Sequence, residues 1–386
     1  MRIKNIACVV LAFFCILNLV TVSATPSVSA QSAILIEKNS GRILYAKNAE
    51  SKLPIASTTK IMTALCALNA FGENINNVVE ISANAAGVEG SSMYLERGEK
   101  MTVAELLYGL MLSSGNDAAV AIAETVSGTP EKFAELMNNT AHDIGADSTH
   151  FTNPNGLPDD EHYSTAHDMA KITAAALNNP QFAEIVKTKT YKITGEGKAY
   201  PRTLTNHNKL LNMYDGCIGV KTGFTKAAGR CLVSAAERNG MTLVCVTLNA
   251  PSDWSDHSAL FDYGFDAFEY KKIIDSHTPM ASIDVTGSAE GAVPIYPERD
   301  IFYPLTSEES FSVDTQIFPE ISAPLSKGES VGKIKFSAAQ TANEEINLIV
   351  NSDIYKQSHI KRMNFASELL ESIAAFYFAW LKMLTV

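Results

Sequence analysis

A serine and a lysine three positions apart mark the most chemically suggestive stretch of the chain, PIASTTKIMTALCALNA, residues 54–70. The apolar spacing predicts a buried helix over about 57–71. Positions i and i+3 share a helix face, which brings the Lys60 side chain within reach of the Ser57 hydroxyl. A lysine sent toward a core has its pKa lowered, because burial disfavours the charged form. The neutral amine can then take the serine's proton, with Ser57 as nucleophile and Lys60 as its base. Unpaired backbone N–H groups at a helix start stand ready for an oxyanion. The plainer account of the same spacing is a capping serine followed by a surface lysine.

Two further clusters could build a site around that pair. In MLSSGNDAAVAIAE, Ser114, Gly115 and Asn116 lie between the end of one apolar helix and the start of another, a natural polar wall for a peptide substrate. The plainer account is a turn in which Asn116 or Asp117 caps the second helix. In GCIGVKTGFTKAAGRC, Lys221, Thr222 and Gly223 end a short β-like run. Gly223 permits close backbone approach. An edge strand there can pair with an extended peptide, and its lysine and threonine can hold a terminal carboxylate. The plainer account is a hairpin turn.

The elements that must position these residues follow from periodicity. SAILIEKNSGRILYAKNAE predicts a hairpin around Asn39-Ser40-Gly41. Helical patterns follow at about 57–71, 102–113, 116–127, 130–144 and 165–178. Strand signals return over 190–250, with GMTLVCVTLNA as the clearest buried strand. Helices between early and late strands imply an α/β domain, residues 31–275, whose sheet joins both ends of the segment. Residues 276–358 alternate β-formers with Pro and Gly, as in a small all-β domain.

The two termini differ from the rest. Arg2 and Lys4 precede an apolar run from Ile6 to about Val22, and small residues offer cleavage after Ala24 or Ala30. Residues 1–30 therefore read as a secretory signal, with an uncleaved anchor as the alternative. At the other end, residues 359–386 form an amphipathic helix. Phe365, Leu369, Leu370, Ile373, Phe376, Tyr377, Trp380, Leu381 and Leu384 fall on one face, opposite Ser367, Glu368, Glu371, Ser372 and Lys382. The uncharged run is too short to span a bilayer. A helix lying in the membrane interface fits, with Lys356, Lys361 and Arg362 upstream to meet anionic lipid; docking on the protein's own surface is the alternative.

A formal charge of −11 argues against nucleic-acid binding. Of six cysteines, Cys8 and Cys15 lie in the signal; Cys66, Cys217, Cys231 and Cys245 show no metal or disulfide spacing, although a Cys217–Cys231 bridge stays open. His162 and His167 are five apart, unlike the i, i+4 pair of a helical zinc site, and no metal is expected. Asn153, Asn155 and Gly156 are expected to build a turn near the site.

The three clusters together, in this order, match the Ser-x-x-Lys, Ser-x-Asn and Lys-Thr-Gly elements of penicillin-binding proteins and related β-lactamases. PIASTTKIMTAL, SSMYLERGEKMTVAELLYGLMLSSGNDAA, THFTNPNGLPDDEHYSTAHDMAKI and GVKTGFTKAAGRCLVSAAERNGMTLV extend the likeness over nearly all of residues 31–270. The sequence resembles the low-molecular-mass penicillin-binding proteins that are D-alanyl-D-alanine carboxypeptidases. That resemblance implies a transpeptidase-like fold: an antiparallel sheet with helices on both faces plus a helical subdomain, then a small β domain and a membrane-associating helix. It implies removal of the terminal D-alanine from peptidoglycan stem pentapeptides, acylation by β-lactams, and no cofactor. By the same resemblance Ser57 attacks the carbonyl and Lys60 accepts its proton. Ser114 relays a proton to the departing amine, Asn116 binds the substrate backbone, and Lys221 further depresses the pKa of Lys60. Thr222 binds the terminal carboxylate, Lys221, Gly223 and Phe224 join it in binding the substrate, and the N–H groups of Ser57 and Phe224 form the oxyanion hole.

Two departures stand out. Many relatives carry histidine where this chain has Phe224. Some have a downstream arginine that helps bind the carboxylate; APSDWSDHSALFDYGF has none, and His257 is its only candidate cation. Rival readings are a β-lactamase, disfavoured by Gly115 and by a loop without the usual glutamate signature, and a non-catalytic wall-binding or antibiotic-sensing module. Endopeptidase action on cross-links would use the same chemistry.

Overall fold

The structure, a computed structural model, describes residues 25–194, 200–338 and 342–384. Strands β1 (Ser32–Glu37) and β2 (Ile43–Lys47) form the expected hairpin. The turn holds because the Glu37 carboxylate accepts the N–H groups of Asn39 and Ser40, at 3.1 and 2.7 Å, while Gly41 takes a φ of +67°. The helices follow the periodic segments: α1 (Lys60–Phe71), α2 (Val103–Leu112), α3 (Asn116–Ser127), α4 (Pro130–Asp143) and α5 (Ala166–Leu177). Their starts are chemical. Thr102 and Glu105 close a capping box on α2, and Thr129 caps α4 ahead of Pro130.

Strands β3 (Cys217–Thr225), β4 (Gly229–Arg238) and β5 (Met241–Leu248) complete an antiparallel sheet in the order β2-β1-β5-β4-β3. The sheet joins the two ends of the segment as expected. Helix α6 (Asp253–Ala267) packs on the face opposite α1 and α5. Alternation along the strands shows both faces covered: Ile34, Ile36, Val244 and Val246 enter one core, and Leu35, Leu243 and Cys245 the other. Helices α1 to α4 supply the helical subdomain beside the sheet.

The expectation that the fold begins only at residue 31 is corrected. Val28 and Ala30 are buried, and the Asp256 carboxylate accepts bonds from Ser29 Oγ at 2.7 Å and Ala30 N at 3.1 Å. Residues 1–24, which carry the signal pattern, lie outside the described residues.

The second domain begins before the expected residue 276, because β6 (Glu269–Ile274) pairs with β9 (Ile301–Leu305) and Ile274 enters its core; it also contains β7 (Ala281–Asp284), β8 (Ala292–Pro297), β10 (Phe311–Ile317), β11 (Ser330–Ala338) and β12 (Ala342–Val350). Five strands form a sheet in the order β7-β8-β12-β11-β10, and β6 pairs with β9. Ile295, Ile334, Phe336 and Leu348 centre a separate core. Arg42 links the domains: it bonds the Pro304 carbonyl and Glu309, and its guanidinium lies 5.1 Å from the Phe268 ring centre and 5.2 Å from that of Tyr303.

The terminal helix α7 runs from Gln357 to Leu384 and leaves Phe365, Leu370, Ile373, Phe376 and Tyr377 exposed. The side chains of Lys361, Arg362, Trp380, Leu381, Lys382 and Leu384 lie outside the described residues. Among the described residues no helix is long and apolar enough to cross a membrane. Cys66, Cys217, Cys231 and Cys245 are free thiols, so the Cys217–Cys231 bridge is not formed.

Candidate active site

Ser57 lies in a single 3-10 turn, Ala56–Thr59, and the α-helix begins three residues later than Ser57, at Lys60. No side chain caps either start, so Ser57 is not a capping serine. Lys60 is fully buried, which removes the surface-lysine account. Its Nζ lies 3.0 Å from Ser57 Oγ, 2.8 Å from Asn116 Oδ1 and 2.6 Å from the Asn155 carbonyl oxygen. The last two can only accept hydrogen bonds. A neutral amine has two hydrogens, both claimed by those oxygens, so its lone pair is left facing the Ser57 hydroxyl. Burial, and then the charge of Lys221, hold the Lys60 pKa well below the usual lysine value.

The Asn153–Gly156 turn forms the floor. Asn153 Oδ1 accepts the Gly156 N–H at 2.7 Å, and Thr63 Oγ1 donates to the Pro154 carbonyl at 2.6 Å. The turn presents the Asn155 carbonyl to Lys60, a backbone contribution that no side-chain pattern could reveal. Gly156 has a φ of +82°, and a Cβ there would meet the Ala56 carbonyl oxygen at 2.0 Å.

Ser114 sits at the end of α2 with a left-handed φ of +59°, a strained conformation for a non-glycine residue. Among the described residues its hydroxyl makes no hydrogen bond to protein, and it lines the cleft beside Ser57. Asn116 is more committed than the resemblance implies. Its Oδ1 accepts from Lys60, and its Nδ2 donates to the Glu89 carbonyl at 2.7 Å. One amide hydrogen remains for substrate. Asp117 orders the opposite wall by accepting the N–H groups of Met93, at 3.1 Å, and Leu95, at 3.0 Å.

Strand β3 is the outer strand of its sheet; among the described residues it pairs with β4 alone, which leaves its other edge open. Lys221 is buried, donates to the Thr222 carbonyl at 2.8 Å, and has its pKa lowered by burial to about 7. Gly223 lets the strand press on the Ser57 turn: a Cβ there would lie 3.1 Å from both Ser57 N and the Ile55 carbonyl oxygen. Phe224 is 66% exposed, so its ring stands at the cleft mouth, outside the core.

A cleft of about 360 Å³ brings together Ser57, Ser114, Thr222, Gly223 and Phe224. It also contains Arg230, which sequence reasoning missed. Arg230 on β4 lies directly across from Phe224, ion-paired to Asp253 at 2.8 Å with its guanidinium 5.6 Å from the Trp254 ring centre. Lys209 lines the same cleft.

The expectation that His257 could serve as the carboxylate's cation is corrected. His257 is fully buried, its ring nitrogens are taken by the hydroxyls of Ser234 and, at 2.9 Å, Thr247, and burial lowers its pKa to about 3. It is therefore neutral. The i, i+4, i+7 series His257, Phe261, Gly264 on α6 was the available signal that it faces the core.

Residues 19–252 match the family described as D-alanyl-D-alanine carboxypeptidase, and residues 268–356 match the penicillin-binding protein 5 C-terminal domain. The chain is 32% identical to D-alanyl-D-alanine carboxypeptidase DacF of Bacillus subtilis over 86% of its own length and 87% of the relative's. Among solved structures, penicillin-binding protein 5 of Haemophilus influenzae superposes with a TM-score of 0.73 at 30% identity, covering 86% of this chain and 99% of that one. A peptidoglycan synthesis regulatory factor, PBP3 of Streptococcus pneumoniae, gives a TM-score of 0.75 at 26% identity, covering 85% of this chain and all of that one (100%). With Ser57, the buried Lys60 and the Lys-Thr-Gly strand gathered at one cleft, the chain belongs to the D-alanyl-D-alanine carboxypeptidase family of penicillin-binding serine peptidases.

Proposed function

We propose that this serine-type D-Ala-D-Ala carboxypeptidase acts on peptidoglycan stem pentapeptides with the following division of labour. The substrate's C-terminal end lies along the open edge of β3. Ser57 Oγ attacks the penultimate D-alanine carbonyl as its proton passes to the neutral Lys60 amine. The N–H groups of Ser57 and Phe224 hold the developing oxyanion, a contribution commonly worth about 3–4 kcal/mol per donor. The proton reaches the departing D-alanine amine through Ser114. Water then cleaves the Ser57 ester. Thr222 and Arg230 receive the terminal carboxylate, in place of the downstream arginine that the sequence lacks. β-Lactams acylate the same serine.

The observation that carries this reading is the placement of Lys60 Nζ, with two obligate acceptors on its hydrogens and Ser57 Oγ at 3.0 Å in the remaining direction. Mass spectrometry of a pentapeptide digest, run beside Ser57→Ala, tests it. The parent should release one alanine and the variant none. Rapid penicillin turnover would instead mark a β-lactamase, and absence of labelling by fluorescent penicillin a binding module. Cleavage of a cross-linked dimer to its monomers would mark an endopeptidase.

The reading extends to location. The apolar N-terminal segment directs export, with cleavage after Ala24, because cleavage after Ala30 would remove the Val28–Ala30 packing. The catalytic domain, the β domain and α7 then stand in that order, and α7 rests on the outer face of the cytoplasmic membrane through its exposed apolar side chains.

A further inference from the structure

His162 is buried 103 residues from the nucleophile's turn in sequence, yet it touches that turn. Its Nδ1 faces the Thr152 backbone N–H at 3.1 Å and its Nε2 faces Thr59 Oγ1 at 2.8 Å. A backbone N–H can only donate, so Nδ1 is the unprotonated acceptor and Nε2 carries the hydrogen. Nε2–H therefore donates to Thr59 Oγ1. The Thr59 hydroxyl in turn donates to the Ala56 carbonyl oxygen at 2.8 Å. Ala56 has a left-handed φ of +48°, costly for a residue with a Cβ, and it immediately precedes Ser57. The relay has one direction, from loop to ring to hydroxyl to the strained carbonyl.

We infer that His162 is a positioning residue for acylation: as the neutral Nε2–H tautomer it locks Thr59 onto Ala56 and so fixes where Ser57 Oγ stands relative to Lys60. Nothing in the catalytic cycle requires it to exchange a proton. The Phe151 ring meets it edge-on at 5.6 Å between centres and restricts its tilt. Asp159, His150 and Lys60 are the charged or titratable groups acting on it, and burial dominates over all three in lowering its pKa to about 4. The neutral form that the relay needs is thus the form present at neutral pH. The same loop supplies the Asn155 carbonyl to Lys60, so loop and turn set both partners of the proton transfer.

This inference rests on Ser57 being the nucleophile, and the test separates the two. Acylation by a fluorescent penicillin is followed at several concentrations, which resolves non-covalent affinity from the acylation rate. No labelling of the parent would defeat the nucleophile itself. With the parent labelled, His162→Leu should acylate on the order of 10²-fold more slowly at unchanged affinity, the scale of a misplacement of about 1 Å. His162→Gln, whose amide can still donate to Thr59, should recover most of that loss. Nitrogen-15 NMR of the parent, labelled at histidine, should show His162 protonated at Nε2 alone at pH 7. That measurement decides the matter if the leucine variant does not fold. A parental rate in His162→Leu, a glutamine variant as slow as the leucine one, or a proton on Nδ1 at pH 7 overturns the inference.

Discussion

Lys221 acts on Lys60 across the pocket: both are fully buried, one on β3 and one at the start of α1, and the charge of Lys221 pushes the Lys60 pKa further below its usual value than burial alone does. Burial first, and then the repulsion between two enclosed cations, favours loss of the Lys60 proton and so the neutral amine that the proposed mechanism uses as base.

A shift of the acid limb follows. The acylation rate falls as pH drops through the lowered pKa of Lys60, because protonation fills the lone pair. Lys221→Gln removes the like charge, so Lys60 should hold its proton to higher pH and the acid limb of kcat/KM should move upward. The limb should move most below about pH 7, where Lys221 is itself charged in the parent. An unmoved limb would dismiss the coupling.

The same burial has a cost in stability. Lys221 titrates at about 7 when folded against 10.5 unfolded, so between those values the unfolded chain binds more protons and parental stability rises with pH. Lys221→Met lacks this dependence. It should be the more stable protein at pH 6, on the scale of about 1.4 kcal/mol for each pKa unit separating the folded and unfolded states. The gap should close toward pH 10. Urea unfolding across that range measures it, and a gap that does not change with pH rules the account out.

Gly223→Ala should cost acylation on the order of 10²-fold with little loss of fold. The added Cβ, 3.1 Å from Ser57 N, would crowd the N–H assigned to the oxyanion. Penicillin labelling at parental speed would show that the turn yields freely.

Arg230→Gln should raise KM for a pentapeptide ending in a free carboxylate while leaving the corresponding C-terminal amide unaffected. Asp253 holds the guanidinium at 2.8 Å, so Asp253→Asn should produce a smaller change of the same kind. Equal losses on both peptides would assign Arg230 to folding alone.

Truncation after Lys356 removes α7. The processed full-length protein should sediment with anionic vesicles and the truncated one remain in solution, while both cleave soluble pentapeptide at the same rate. Co-sedimentation of the truncated protein would place the contact elsewhere.

The readable and unreadable parts of the sequence divide by range of interaction. Helix α2 could be placed because Thr102 and Glu105 cap it locally, and β5 because MTLVCVTL is apolar apart from Thr242 and Thr247. Ser57, Lys60, Ser114 and the β3 residues were legible as clusters within a few positions of one another. Arg230 was not, because it reaches the cleft only through the register that sets it opposite Phe224 after the turn before Gly229. Asn155 contributes through a carbonyl, which every residue has. His162 meets Thr59 only through the fold, across a separation of 103 positions in sequence.

The open side of β3 carries a liability with it. On the proposed reading β3 must accept a guest peptide and cannot be shielded by a permanent neighbour, so its unpaired groups offer a template for other extended chains, including an unfolding copy of the same protein. Insertion of a bulky protective side chain at Gly223 is barred by the nucleophile's turn, and the exposed Phe224 ring adds to the attraction. If β3 binds the wall peptide as proposed, susceptibility to self-association at this edge comes with that ability.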